Sequence, residues 1–129
     1  MKKILVTGAN GQLGQCLQKI SSQFEEFEFI FTDSETLDIT NKEEVNDFFW
    51  QNAPDFCINA AAYTAVDLAE TDIEKAFLVN ADGTENLAEA CAENNAQFIH
   101  VSTDYVFDGE NNLAYTEEDF TNPLGVYGA

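Results

Sequence analysis

Four clusters of residues in this sequence combine types and spacings that could do chemistry. The first is Thr7-Gly8-Ala9-Asn10-Gly11-Gln12-Leu13-Gly14, with its glycines three apart. Glycine permits a tight turn and lets backbone N–H groups approach an anion, so Gly8, Asn10, Gly11, Gln12 and Leu13 are candidates to cradle a pyrophosphate at a helix N-terminus. Such turns also join strands to helices for purely structural reasons. The second cluster centres on Asp33, 19 residues beyond Gly14. A carboxylate ending a strand there either accepts hydrogen bonds from an adenosine ribose or sits in a solvated turn. Asp38 and Ile39, just after it, either border the adenine or make an ordinary turn. The third is Asn59-Ala60-Ala61-Ala62-Tyr63. Its three alanines leave room for a flat ligand against the backbone, which makes Ala60, Ala61, Ala62 and Tyr63 cofactor candidates, although a plain tight turn would look the same. The fourth is Ser102-Thr103-Asp104-Tyr105, whose hydroxyls would face the same crevice from a neighbouring strand. His100, within that strand, reads as a satisfied core histidine rather than a catalyst.

For these clusters to meet, short elements must set them in place. Residues 3–7 are an apolar, β-branched run ending at glycine, and residues 12–24 carry Leu13, Cys16, Leu17 and Ile20 on one helical stripe. Residues 27–32 form a second, aromatic-rich strand closed by Asp33. Thr40-x-x-Glu43 reads as a capping box opening a helix buried through Val45, Phe48 and Phe49, which Pro54 stops. Residues 56–59 are a third strand. Thr71-x-x-Glu74 is another capping box, and Ala76, Phe77, Val79, Leu87, Ala90 and Cys91 predict one long helix ending near Asn94 and Asn95, before a fourth strand over residues 97–102. Strands alternating with helices predict an α/β, Rossmann-like doubly wound parallel sheet with right-handed crossovers and helices on both faces. The expected strand order is 3-2-1-4, which leaves the fourth strand, with Phe98, Ile99 and Val101, on an open edge.

After Thr103 the periodicity lapses into turn formers at Asp108-Gly109, Asn111-Asn112 and Asn122-Pro123. Residues 1–107 therefore read as a dinucleotide-binding core, and residues 108–129 as a loop with few apolar anchors that is expected to be mobile in solution or ordered only by unusual contacts. A doubly wound dinucleotide fold normally has about six strands. Only four are legible, so the sequence is expected to be a piece of a longer chain.

Composition narrows the function classes. The 129 residues hold 24 Asp and Glu against 5 Lys and no Arg, a formal net charge of -19, so the field repels nucleic acids and anionic lipid surfaces. With 45% apolar residues the chain can bury a core and is not a disordered acidic tail. Neither a signal peptide nor a membrane span is legible, which predicts a cytoplasmic protein. Cys16, Cys57 and Cys91 are odd in number and set in apolar patterns, so all three read as reduced, packed thiols, and no metal site is suggested.

TGANGQLG, NAAAYTAVD, VNADGTENLAEA, HVSTDYVFDG and PLGVYGA, in this order and spacing, closely resemble the N-terminal half of the dTDP-4-dehydrorhamnose reductases, which are extended short-chain dehydrogenase/reductases. The resemblance covers essentially the whole chain. It implies hydride transfer from a nicotinamide to the C4 ketone of a dTDP-linked deoxysugar, with Tyr127 donating the proton, Thr103 hydrogen-bonding the substrate oxygen, and Tyr105 and Asp104 near the sugar. The implied cofactor is NADH or NADPH and the implied partner a dTDP-sugar, and a homodimer is left open. Asp33 favours NADH, because a carboxylate repels a 2′-phosphate and a chain without Arg offers no bidentate clamp for one.

A phenol with an ordinary pKa of about 10 donates well at neutral pH only when a nearby cation stabilises its phenolate. The resemblance supplies that cation as a lysine four residues after the tyrosine, which would be position 131, beyond this sequence. The substrate lobe would lie beyond it as well, so the 129-residue chain is expected to be inactive by itself. Leu68 in VDLAE stands where relatives often carry Lys. Two other readings share these residues. One is a non-catalytic regulatory subunit on the same fold, like the reductase-like subunit associated with methionine adenosyltransferase, against which Thr103 and Tyr127 count. The other is a nucleotide-sugar epimerase or dehydratase, which sequence past residue 129 would distinguish.

Overall fold

The computed structural model describes all 129 residues. Four strands, β1 (Lys2–Thr7), β2 (Phe27–Phe31), β3 (Phe56–Asn59) and β4 (Gln97–His100), pair in parallel in the order β2-β1-β3-β4. The central run Ile4-Leu5-Val6 is buried throughout, as a strand covered on both faces requires. Helix α1 (Gln12–Ser21) joins β1 to β2, and α2 (Lys42–Asn52) joins β2 to β3. Between β3 and β4 run α3 (Val66–Ala69), α4 (Ile73–Phe77), a π-helical turn (Leu78–Asp82) and α5 (Gly83–Glu93). No helix is long and apolar enough to cross a membrane.

The fold class is the expected one, but the strand order is not 3-2-1-4. The third strand lies against β1, not outside β2. A reciprocal tie seats it there: the Lys3 N–H donates to Asp55 Oδ2 at 2.8 Å, and the Asp55 N–H donates to the Lys3 carbonyl at 2.9 Å. The chain therefore moves one way across the sheet from β1 to β2 and the other way from β2 through β4. Right-handed crossovers in opposite directions place α1 on one face and α2 on the other. The reversal also leaves a crevice at the carboxyl ends of β1 and β3, where doubly wound sheets of this order take ligands.

On the α2 face the core is Leu5 and Cys57 of the sheet, Val45 and Phe49 of α2, Leu87, Ala90 and Cys91 of α5, and Leu37 and Ile39 from the segment before α2. A fully buried Leu or Phe contributes roughly 1.5–3 kcal/mol, so this is where the stability is concentrated. The α1 face is covered by one helix, and Gly14 is the only buried residue of α1. Cys16 is exposed, which corrects the expectation of three packed thiols: nothing lies over the outer side of its stripe, and Leu13 and Ile20 are exposed with it.

Helix ends differ in instructive ways. The cap of α2 is Asn41, whose side chain accepts from the Glu44 N–H, whereas the Thr40 hydroxyl donates to Asp38 Oδ1 at 2.7 Å and is thereby taken out of the capping box. Ala53 ends α2 in the left-handed region at φ 45° and Pro54 follows, as expected of a stop. Asp72, not Thr71, stands at the start of α4, because the Thr71 hydroxyl donates back to the Leu68 carbonyl at 3.1 Å. The single long helix expected after it is interrupted by the π-helical turn, and β4 ends at His100, two residues early.

Candidate active site

The glycine turn is shaped by contacts that exclude a side chain. Gly8 has φ 69°, and a Cβ there would lie 2.5 Å from the Ala60 carbonyl oxygen and 2.6 Å from the Ala61 nitrogen. The turn after β1 is therefore pressed directly onto the turn after β3. A Cβ on Gly14 would collide with the Gly8 carbonyl, so the first turn of α1 is equally close. Gly11 stands at the N-cap of α1 without a side-chain cap; its N–H donates to the Gly8 carbonyl at 3.0 Å, and the next N–H groups have no protein acceptor. That combination of free donors, helix dipole and small residues suits a pyrophosphate.

Asp33 follows β2 across the same crevice. Its Oδ1 accepts the Thr36 hydroxyl at 2.9 Å and the N–H groups of Glu35 and Thr36 at 3.1 Å each, and its Oδ2 accepts the Asn10 amide at 2.6 Å. The Thr36 hydroxyl first, then these other donors, hold its carboxyl below the ordinary value and keep it ionised at neutral pH. Asp33 thus caps a turn, and it also lines the crevice. Asp38 likewise caps its own turn through Thr40, and Ile39 belongs to the core, yet both also line the crevice.

The loop at residues 60–63 is held from two sides. Asn59 is fully buried, and its Oδ1 accepts the Thr7 hydroxyl at 2.7 Å and the Ala61 N–H at 3.1 Å. Its amide nitrogen must then donate, to the Thr84 hydroxyl at 3.3 Å and to His100 Nδ1 at 3.1 Å. His100 is not a core residue: it is exposed at the end of the edge strand, stacked on Phe98, with one ring nitrogen satisfied by Asn59. Asn80, in the π-helical turn, clasps the other end of the loop by accepting the Tyr63 N–H at 2.7 Å and donating to the Tyr63 carbonyl at 3.0 Å. Such turns recur where a helix must present a side chain to a site. Asn80 was invisible in the sequence, where it sat inside an uninterrupted helical pattern.

The glycine turn, Asp33, Asp38, Ile39, residues 60–63, Thr103 and Tyr127 all line one open cleft of about 1100 Å³. Thr103 and Tyr127 also line an adjoining hollow of about 310 Å³, so they stand in the wall between the two. Burial first, then the Asp104 carboxylate beside it, push the Tyr127 phenol above its ordinary value, so it is a protonated donor at neutral pH. Asp104 and Tyr105 line neither cavity. Tyr105 is 64% exposed, at φ 58°, with its ring edge-on to Tyr127 at 6.3 Å. Lys75, which the sequence reading passed over, is the only basic residue lining the cleft; its ammonium lies 6.0 Å from the Tyr63 ring centroid. Its signal was available, since the whole chain has only 5 Lys.

The chain has relatives among known proteins. The RmlD substrate binding domain family model matches residues 1–129. The dTDP-4-dehydrorhamnose reductase of Aggregatibacter actinomycetemcomitans is 46% identical over 128 residues, covering 99% of this chain and 44% of that protein. The crystal structure of a dTDP-4-dehydrorhamnose reductase from Clostridium acetobutylicum is 48% identical with a TM-score of 0.94, over 98% of this chain and 45% of that one. The Bacillus anthracis enzyme, solved in complex with NADP, is 38% identical with a TM-score of 0.94, over 99% of this chain and 46% of that one. The chain thus spans less than half the length of these relatives. With the family model matching residues 1–129 and a fold that superposes on two dTDP-4-dehydrorhamnose reductases, the chain belongs to the RmlD substrate binding domain family.

Proposed function

We propose that this chain is the cofactor-binding part of an oxidoreductase that reduces the C4 ketone of dTDP-4-dehydro-L-rhamnose to dTDP-L-rhamnose with NADH or NADPH. The observation that carries the reading is that Thr103 and Tyr127 share a wall of the same cleft that the glycine turn and Asp33 line at its other end. A nicotinamide, when bound, supplies the hydride. The free N–H groups after Gly11 hold the pyrophosphate, Asp33 accepts the hydroxyls of the adenosine ribose, and the alanine loop lies flat against the dinucleotide. The Thr103 hydroxyl orients the substrate carbonyl, and the Tyr127 phenol gives its proton to the oxygen as negative charge develops there. Donation leaves a phenolate next to Asp104, which is unfavourable by itself, so the full-length protein needs a cation on the other side of the ring. A lysine at position 131 would meet that need.

Asp33 supports a preference for NADH, since its ionised carboxylate, already tied to Asn10, would repel a 2′-phosphate. The Bacillus anthracis relative was solved with NADP, so the two cofactors are best compared directly. In the full-length protein, kcat/KM for reduction of dTDP-4-dehydro-L-rhamnose is expected to be higher with NADH. A strong preference for NADPH would remove Asp33 from this role, and no reduction with either cofactor would overturn the functional reading itself.

A further inference from the structure

Tyr127 must be placed with some accuracy to share a wall with Thr103, yet it lies in a segment without regular secondary structure. What fixes it is a side chain outside both cavities. Glu70, the residue that ends α3, extends Oε1 to accept the Val126 N–H at 2.8 Å, across 56 residues of sequence. The same oxygen would lie 2.9 Å from a Cβ on Gly125. Two consecutive peptide units immediately before the tyrosine are thus fitted round one carboxylate oxygen. On the other side of Tyr127, the Ala129 N–H closes a turn on the Val126 carbonyl at 3.3 Å, and Gly128 lies so close to the Tyr105 carbonyl that a Cβ would collide with it.

Glu70 has no competing commitment. The chain's one salt bridge joins Lys42 and Glu89, and Glu70 lines neither the cleft nor the hollow. A hydrogen bond to a charged acceptor is roughly twice as strong as one between neutral groups, which suits an exposed tether that competes with water.

We propose that Glu70 is a positioning residue for the proton donor: by holding the Val126 N–H it sets the height of the Tyr127 hydroxyl in the cleft wall. The proposal rests on the reductase reading for its kinetic consequence, but not for its structural one. A donor displaced by about 1 Å loses catalysis without losing binding, up to roughly 100-fold. Removing the carboxylate should therefore slow proton transfer and spare cofactor affinity.

The test uses the full-length protein with Glu70→Ala, Glu70→Gln, Gly125→Ala and the double variant Glu70→Ala/Gly125→Ala. Glu70→Ala is expected to lower kcat about tenfold, to raise the solvent deuterium isotope effect on kcat, and to leave the Kd for NADH within about twofold. A mere loss of folded protein would not change the isotope effect. Glu70→Gln keeps an acceptor oxygen at the same reach and is expected to recover most of the loss. Gly125→Ala should reproduce the defect by displacing the carboxylate, and the double variant should be no worse than Glu70→Ala, because the two changes break one contact. Amide hydrogen exchange at Val126 should quicken in Glu70→Ala and stay slow in Glu70→Gln. An unchanged isotope effect, a defect that Gln does not relieve, or unchanged exchange at Val126 would each overturn the proposal. If the wild-type protein reduces no ketone, the functional reading fails while the exchange measurement still decides the role of Glu70.

Discussion

The two ends of the cleft are built by different means. At the glycine end, backbone packs on backbone: Gly8 against Ala60, Gly14 against Gly8, and α1 opening on free N–H groups. At the tyrosine end, side chains tie an irregular segment down from a distance. Glu70 holds Val126, Asp108 accepts the Asn122 amide at 3.0 Å and the Tyr115 hydroxyl at 3.2 Å, and Phe107 stacks on Tyr115 at 4.2 Å. The first arrangement tolerates almost no atom added. The second is as tight at Gly128, where a Cβ would meet the Tyr105 carbonyl, and depends in addition on each polar partner. The glycine end is thus shaped by side chains that are left out, and the tyrosine end also by side chains that reach across.

Substitutions that respect this division should separate the ends, and the largest effect belongs to the tyrosine. Tyr127→Phe in the full-length protein removes only the hydroxyl. It is expected to lower kcat about 10²- to 10⁴-fold, the usual worth of a positioned general acid, with the Kd for NADH nearly unchanged. Steady-state kinetics with fluorescence titration of NADH checks both halves, and near-normal turnover would assign the proton to another group. At the opposite end, Gly8→Ala forces a side chain to φ 69° and onto the Ala60 carbonyl. The left-handed conformation alone costs about 1–2 kcal/mol. Displaced N–H groups should also weaken dinucleotide binding about tenfold, visible as a lower Tm together with a raised Kd. If Gly8→Ala binds NADH normally, the backbone-on-backbone account of that end is wrong.

The smallest expected effect compares the ends through acid. Asp33 at the glycine end and Asp108 at the tyrosine end are both held below the ordinary carboxylate value, Asp33 chiefly by the Thr36 hydroxyl and Asp108 chiefly by the Asn122 amide. A lowered folded-state value means the unfolded chain takes up the proton first. The stabilisation is then complete above the ordinary value of 3.8 and is lost as pH falls through the lowered one. Asp33→Asn and Asp108→Asn should each flatten the loss of stability between about pH 5 and pH 2 relative to wild type, measured by denaturant unfolding. Taking the difference from wild type cancels the relief of general charge repulsion on acidification. If either variant keeps the full acid slope, that carboxylate is not part of the turn it caps.

Much of the glycine end was legible in the sequence because its requirements are local. The close backbone approach at Gly8 and Gly14 admits no side chain, and Asp33 follows a strand that is itself visible as Phe27–Phe31. The strand order was not legible, since it rests on the long-range pairing of β1 with β3, which no periodicity records. The same holds for Glu70 with Val126 and for Asn80 with Tyr63. Each is an ordinary polar residue on or beside a helix until the fold brings its partner to it. Cys16 was misplaced for a related reason: a helical stripe announces an apolar face but not whether anything arrives to cover it.

The π-helical turn at Leu78–Asp82 has one more consequence. It acts as a phase shifter. Asn80 must present to the loop while Leu87, Ala90 and Cys91 must present to the sheet, and one wide turn reconciles these two angular settings. In an α-helix each residue advances the azimuth by about 100°, so deleting a single residue there would straighten the turn and rotate everything on one side relative to the other. Either the clasp on Tyr63 or the core contacts of α5 would then be lost. The number of residues in this stretch is therefore constrained as well as the identity of Asn80.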